Sequence, residues 1–110
     1  MSPLREVTTD AFEQEVLRAA RPVLVEFTAE WCAPCKQLKP VLEDLAREWA
    51  GTVDVVEFDV DKDPQMAVRY RVLGVPTMIL FVDGEAKARL TGFKPKRVIV
   101  KKFGPHVGQS

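Results

Sequence analysis

Residues 23–27 read Val23-Leu24-Val25-Glu26-Phe27, apolar at odd and even positions alike except at Glu26. A strand wetted on one side alternates apolar and polar residues; one that is apolar on both sides needs cover on both. Pro22 and Thr28-Ala29 bound the run. The chain must therefore place other elements over both faces of a sheet, which points to an α/β fold. The next segment supplies one cover. Leu38, Val41, Leu42, Leu45, Ala46 and Trp49 recur at i, i+3, i+4, i+7, i+8 and i+11, one face of a long helix. Pro40 falls inside it and lacks a backbone donor, so a kink is expected there, and Gly51 is the expected stop.

The remaining segments alternate in the same way. Leu4-Arg5-Glu6-Val7 reads as a short first strand. Thr9-Asp10 opens a helix, with Asp10 and Glu13 at capping-box spacing and Phe12, Val16 and Leu17 on its apolar face. Val53 to Val60 is a strand, and Asp63-Pro64 starts a short helix to about Tyr70. Thr77 to Val82 is a further strand, Asp83-Gly84 a two-residue hairpin turn and Glu85 to Thr91 the antiparallel return. Pro95 suits the first turn of a last helix, docked by Val98, Ile99 and Phe103 and ended by Gly104-Pro105, with a frayed tail over Val107-Gly108-Gln109-Ser110. The order is β-α-β-α-β, then a helix, a β-hairpin and a helix: a mixed sheet with helices on both faces. At 110 residues, 46% hydrophobic, one domain over 1–110 is expected, with a core that needs no disulfide staple or structural metal.

Lys plus Arg and Asp plus Glu both number 16, so the formal net charge is zero. That argues against a general nucleic-acid binder and against a polybasic membrane anchor. No apolar run approaches the roughly 20 residues that cross a bilayer. The segment Met1 to Thr8 lacks a basic stretch followed by an apolar core, so the expected compartment is the cytoplasm, where thiols stay reduced. The absence of Asn, with two Ile and eight Pro, suits either a heat-stable protein or a GC-rich genome, and bears on neither fold nor function.

Chemistry concentrates at one place. In sheets of this kind, sites lie at the carboxyl ends of central strands, and Ala29 to Cys35 leaves the central strand at that end. Cys32 and Cys35 are the only cysteines. Cys32 falls at the start of the long helix and Cys35 three residues on, so both share a face and can close a small disulfide. Free N–H groups and the positive end of the helix dipole favour a thiolate at Cys32. Cys35, a turn further in, should be more buried and less acidic. Cys32 then attacks a disulfide and Cys35 resolves the mixed disulfide. A zinc site is disfavoured by ligand count, since no second pair exists and the only histidine, His106, is in the tail. A cluster shared between two chains needs only two cysteines from each and stands lower still.

Trp31-Cys32-Ala33-Pro34-Cys35-Lys36 resembles the active-site segment of the thioredoxin family. Phe27-Thr28-Ala29-Glu30, Pro40, Gly74-Val75-Pro76-Thr77 and Gly84 fit that family in order and spacing, so the likeness runs from about Val7 to Phe103. The resemblance implies a thioredoxin fold, a central mixed five-stranded sheet flanked by four helices. It implies a cis bond before Pro76 and a substrate groove around Trp31, Ala33, Pro34, Val75, Pro76 and Gly92. It further implies a general reductant of protein disulfides with no bound cofactor or metal. Its electrons would come from NADPH through a thioredoxin reductase, and the expected state is a monomer.

Three positions depart from the family pattern. Ala33 replaces the usual Gly, which stiffens the turn and adds a methyl to the contact surface. Glu26 replaces the usual buried Asp, whose assigned role is to take the proton from Cys35. A carboxyl in an apolar strand should have a raised pKa suited to that transfer, and the extra methylene calls for a water or a small shift. Glu57 stands where Lys is common, so two carboxylates approach each other. Lys39, four residues after Cys35, is the expected compensating cation, paired with Glu26 or Glu57.

Plainer readings stand beside these. Glu26 by itself reads as a solvent-reaching or ion-paired group; beside the cysteines the proton-transfer reading is preferred. Trp31 reads as a groove wall and Trp49 as core. Phe93 serves either the groove or packing against the last helix. Lys36 reads as a solvated charge that tunes local electrostatics. Asp59-Val60-Asp61-Lys62-Asp63 reads as a strand end and helix cap, not a metal loop. An oxidase or isomerase of the same fold is the first rival function, disfavoured by the absence of His between the cysteines. A scaffold role for the groove is the second.

Overall fold

The computed structural model describes residues 3–108. The strands are β1 (Arg5–Glu6), β2 (Val23–Thr28), β3 (Asp54–Asp59), β4 (Thr77–Val82) and β5 (Glu85–Thr91). The helices are α1 (Thr9–Phe12), α2 (Ala33–Glu48), α3 (Pro64–Arg69) and α4 (Lys96–Phe103). The five strands form one sheet in the order β1-β3-β2-β4-β5. β1, β3 and β2 are parallel; β4 runs antiparallel to β2, and β5 to β4. This is the α/β arrangement of the thioredoxin fold, with β2 flanked by a strand on either side.

Both faces of β2 are covered, as its pattern requires. Leu24 packs with Leu38, Leu42 and Leu45 of α2, Met78 and Leu80 of β4, and Ile99 and Phe103 of α4. Val23, Val25 and Phe27 pack on the other face with Phe12 and Val16, Val56 and Phe58, Met66, Ile79 and Phe81. Phe12 meets Phe58 and Phe81 edge to face, with centroids 5.9 and 5.7 Å apart. Leu42 is fully buried. Leu42→Ala should cost about 2–5 kcal/mol, the range for deleting a buried Leu side chain, read as a lower urea midpoint at unchanged slope.

Element starts and ends differ from the sequence reading in informative ways. The Asp10–Glu13 capping box is not formed. The residue before α1 is Thr8, and no side chain caps this end. Thr9 Oγ1 instead donates to Asp63 Oδ2 (2.6 Å), while Glu13 pairs with Arg18 (3.2 Å). After Phe12 the helix widens into a π turn over Glu13–Leu17, closed by Arg18 N–H donating to Glu13 O (2.8 Å). Pro95 caps α4 from outside, with extended ψ, rather than sitting in its first turn. Val98 and Val100 are both half-buried, and Val100 packs against the core. Beyond α4 the chain continues as a 3-10 turn over Gly104–Val107, and Val107 packs on the core instead of fraying. Gln109 and Ser110 lie outside the described residues.

The hairpin follows its turn chemistry. Asp83 and Gly84 both adopt positive φ (53° and 80°), the pair of values a two-residue turn between twisted strands needs. A Cβ on Gly84 would stand 2.9 Å from the Leu17 carbonyl oxygen, so the position excludes a side chain twice over. α2 remains one helix across Pro40 and ends at Glu48. Its first residues set the site.

Candidate active site

β2 ends at Thr28, and Ala29 to Trp31 turn the chain into α2. Cys32 N–H donates to the Ala29 carbonyl (3.2 Å), which tightens this turn. Cys32 is the N-cap of α2, with extended backbone, and Pro34 occupies its first turn, where a missing N–H is harmless. The cap side chain is a sulfur: Cys35 N–H donates to Cys32 Sγ (3.1 Å). A charge-assisted bond from a helix N-terminus favours the thiolate over the thiol when the pair is reduced. Here the two cysteines are joined in a disulfide, Cα atoms 5.2 Å apart. The two are equally buried, 3% and 4% exposed, so the expected deeper burial of Cys35 is not seen. Cys32 is covered from the side: its Sγ lies 3.6 Å from the Val75 carbonyl oxygen. As a disulfide sulfur it has no proton to donate, so this is a packing contact. The asymmetry between the cysteines comes from the helix end and not from depth.

The covering loop is tied down by hydrogen bonds at both ends. The Val75–Pro76 bond is cis. Thr77 Oγ1 donates to the Gly74 carbonyl (2.6 Å), and Gly92 N–H donates to the Pro76 carbonyl (2.7 Å). Gly92 has φ +86°, a conformation side chains disfavour. Around the buried disulfide stand exposed Ala33 and Pro34, half-buried Val75 and Gly92, and Trp31, which is 71% exposed. Trp31 is held upright by Nε1 donating to Asp61 Oδ2 (2.7 Å). Trp49 is core. Phe93, 42% exposed, and Leu73, 99% exposed, add apolar surface beside Gly92 and Gly74. Sequence reasoning places Asp61 only in a solvated strand end and misses Leu73. An apolar residue directly before Gly74 in a loop is the available signal for Leu73; nothing in the sequence pairs Asp61 with Trp31.

On β2, Glu26 is 1% exposed, with Oε2 lacking any hydrogen-bond partner among the described residues. Burial pushes its carboxyl up from 4.5 to about 8; the nearby Glu57 carboxylate adds to the rise and Lys39 opposes it. Glu57 stands directly opposite Glu26 across the β2–β3 pairing. Lys39 makes its ion pair with Glu57 (3.6 Å). Of the two partners expected for Lys39, the contact is to Glu57. Lys36 is exposed and lines, with Cys35 and Lys39, a cavity beside the disulfide. Among the described residues, no three His, Cys, Asp or Glu side chains converge as a metal site would require, and no helix is long and apolar enough to cross a membrane.

The family model described as Thioredoxin matches residues 3–104. A thioredoxin of Streptomyces clavuligerus is 40% identical over 98 residues, 89% of this chain and 91% of that protein. One from Acidithiobacillus ferridurans is 43% identical, over 78% of this chain and 80% of that one. A bifunctional thioredoxin reductase/thioredoxin of Mycobacterium leprae (strain TN) is 44% identical over 87% of this chain, which spans 21% of that longer protein. A cysteine pair closed at a helix start can do one kind of chemistry well, and the match extends that reading over nearly the whole length. The chain belongs to the thioredoxin family, and it reduces protein disulfides by dithiol–disulfide exchange through Cys32 and Cys35.

Proposed function

We propose the following division of labour. Cys32, as thiolate, attacks a sulfur of the substrate disulfide; one substrate sulfur leaves as a thiolate and the other is held on Cys32. Glu26 takes the proton from Cys35. The Cys35 thiolate then attacks Cys32 Sγ, the substrate's second sulfur leaves with its electron pair, and the Cys32–Cys35 disulfide forms. The observation that carries this reading is the Cys35 N–H bond to Cys32 Sγ, which places the positive end of α2 on one sulfur only. Trp31, Ala33, Pro34, Val75, Pro76 and Gly92 receive the substrate chain, holding it by apolar contact and backbone polarity so that recognition is broad. Lys36, Lys39 and Glu57 tune the field around the cysteines and Glu26.

The oxidised pair is returned to the dithiol by a thioredoxin reductase drawing on NADPH, with no cofactor bound to this chain. The reductase fused to the Mycobacterium leprae relative supports that partner. The chain works as one domain, as a monomer and in the cytoplasm, where a reducing pool keeps it supplied.

The division of roles is tested by trapping. Cys35→Ser, reduced and mixed with a disulfide-bonded protein, should accumulate a covalent one-to-one adduct at Cys32, resolved by added dithiol. Cys32→Ser should accumulate far less. Equal trapping by both variants would show that the helix end does not select the nucleophile.

A further inference from the structure

Three glutamates stand side by side across the sheet. Glu6 of β1 is the register partner of Glu57 of β3, and Glu57 is the partner of Glu26 of β2. Register partners in parallel strands point to the same face. Glu26 shares a face with Leu24, two residues earlier, and Leu24 packs on α2, the helix that carries both cysteines. The row is graded. The Glu6 side chain is 40% exposed, that of Glu57 19%, and Glu26 as a residue only 1%. The two outer carboxylates each hold a lysine: Glu6 with Lys62 (2.6 Å) and Glu57 with Lys39 (3.6 Å). The innermost has an oxygen with no partner among the described residues.

A cavity of about 660 Å³ opens on the outer two of the row, lined by Glu6, Glu57, Lys39 and Cys35, with Lys36, Glu30 and Asp59 adding charge at its walls; Glu26 is not among its lining residues. A space so polar and so large admits water. None of Trp31, Val75, Pro76 and Gly92 lines it. It therefore opens on Cys35 apart from the residues assigned to the substrate groove. Near neutrality Glu26 holds a proton that must leave before it can take that of Cys35, and a docked polypeptide closes the groove side.

We propose that the Glu26–Glu57–Glu6 row is the proton outlet of the site, with Glu57 the carrier between buried Glu26 and water in this cavity. The inference rests on Glu26 being the base for Cys35. Protonated Glu26 passes its proton to the Glu57 carboxylate, directly or through one water; Glu57 passes it to solvent or buffer, and both carboxylates are regenerated. Glu57 is faced by Lys39 of α2, Glu6 of β1 and Glu26 of β2; the β4 neighbour of Glu26, Met78, carries no charge.

The test is a single turnover of the reduced full chain on a symmetrical aromatic disulfide whose thiolate is coloured. The first release reports Cys32 attack; the second reports resolution by Cys35. In weak buffer at neutral pH, Glu57→Gln should slow the second phase relative to the first by about tenfold or more, within the range for loss of a proton-transfer group. Raising the concentration of imidazole or a small carboxylate should restore it, and Glu57→Asp should stay close to the parent. A second phase unchanged in Glu57→Gln overturns the outlet. So does a slowed phase that no buffer restores, because a residue that merely positions Lys39 would give that result. Glu26→Gln separates the two levels. If it slows the second phase while Glu57→Gln does not, only the outlet falls. If Glu26→Gln leaves the second phase untouched, the base role falls, and the outlet with it.

Discussion

Glu26→Gln should raise the stability of the oxidised chain at alkaline pH by several kcal/mol and leave it nearly unchanged near pH 4. The sign follows from linkage. The carboxyl of Glu26 titrates at about 8 in the folded chain against an ordinary value of 4.5. Between those values the folded state holds a proton that the unfolded state has lost. Unfolding then releases a proton, and stability falls as pH rises. The protonated group's contribution is fully present below about 4.5 and is lost as pH passes through about 8. At about 1.36 kcal/mol per pH unit the whole window is worth on the order of 5 kcal/mol. Glutamine has the same shape and no charge to bury, so the variant lacks this slope. Urea unfolding from pH 4 to 9 reads it directly: the two curves should meet at the acid end and part steadily above pH 5. Parallel curves would mean that Glu26 ionises in the folded chain as it does in water. The same group should leave a kinetic trace. Below about pH 8 the ionised fraction of Glu26 drops roughly tenfold per unit, so resolution by Cys35 should slow with acidity in the parent and be slower throughout in Glu26→Gln.

The second large effect is at the nucleophile. Cys32→Ser should keep the fold and lower the reduction of a disulfide-bonded protein to the rate of the supplied dithiol alone. A serine hydroxyl at this helix start is not ionised near neutrality and makes no exchangeable bond to sulfur. Cys32 is also the N-cap, and serine is a good cap, so α2 should lose nothing. Far-ultraviolet dichroism and a melting curve establish the fold, and turbidity of the reduced substrate reports activity. Substantial turnover in this variant would place the chemistry elsewhere.

Much of this architecture is legible in single residues. Thr77 to Val82 and Glu85 to Thr91 are readable to their ends, because β-rich runs flank an Asp-Gly pair that allows one turn. Asp63-Pro64 marks the start of α3 because Asp63 caps it, accepting from Gln65 N–H (3.1 Å). What sequence does not supply is pairing at a distance. The π turn after Phe12 arises from a one-residue slip in backbone bonding that no side-chain pattern announces. The slip at Leu80/Phe81, where Ala88 and then Ala86 are the partners, leaves Lys87 extra in β5 and is equally silent. At the site, the spacing of Cys32 and Cys35 declares their chemistry, and the apolar surroundings of Glu26 declare its burial. The equal depth of the two sulfurs is hidden, because Cys32 is covered by Val75, forty-three residues away. So is the alignment of Glu6, Glu57 and Glu26, which exists only once three strands have chosen their register.

The central claim is that electrons flow from this dithiol to substrate disulfides. Its most direct test is the reduction potential of the Cys32–Cys35 pair, by equilibration with dithiol and glutathione buffers at pH 7. Thioredoxin is itself the reference on this scale, at about −270 mV, a value established for the family by measurement. A value near that reference is the expected result and fits a reductant. A value above about −200 mV, the range of disulfide isomerases and oxidants, would contradict the claim and make disulfide formation or reshuffling the activity of this pair.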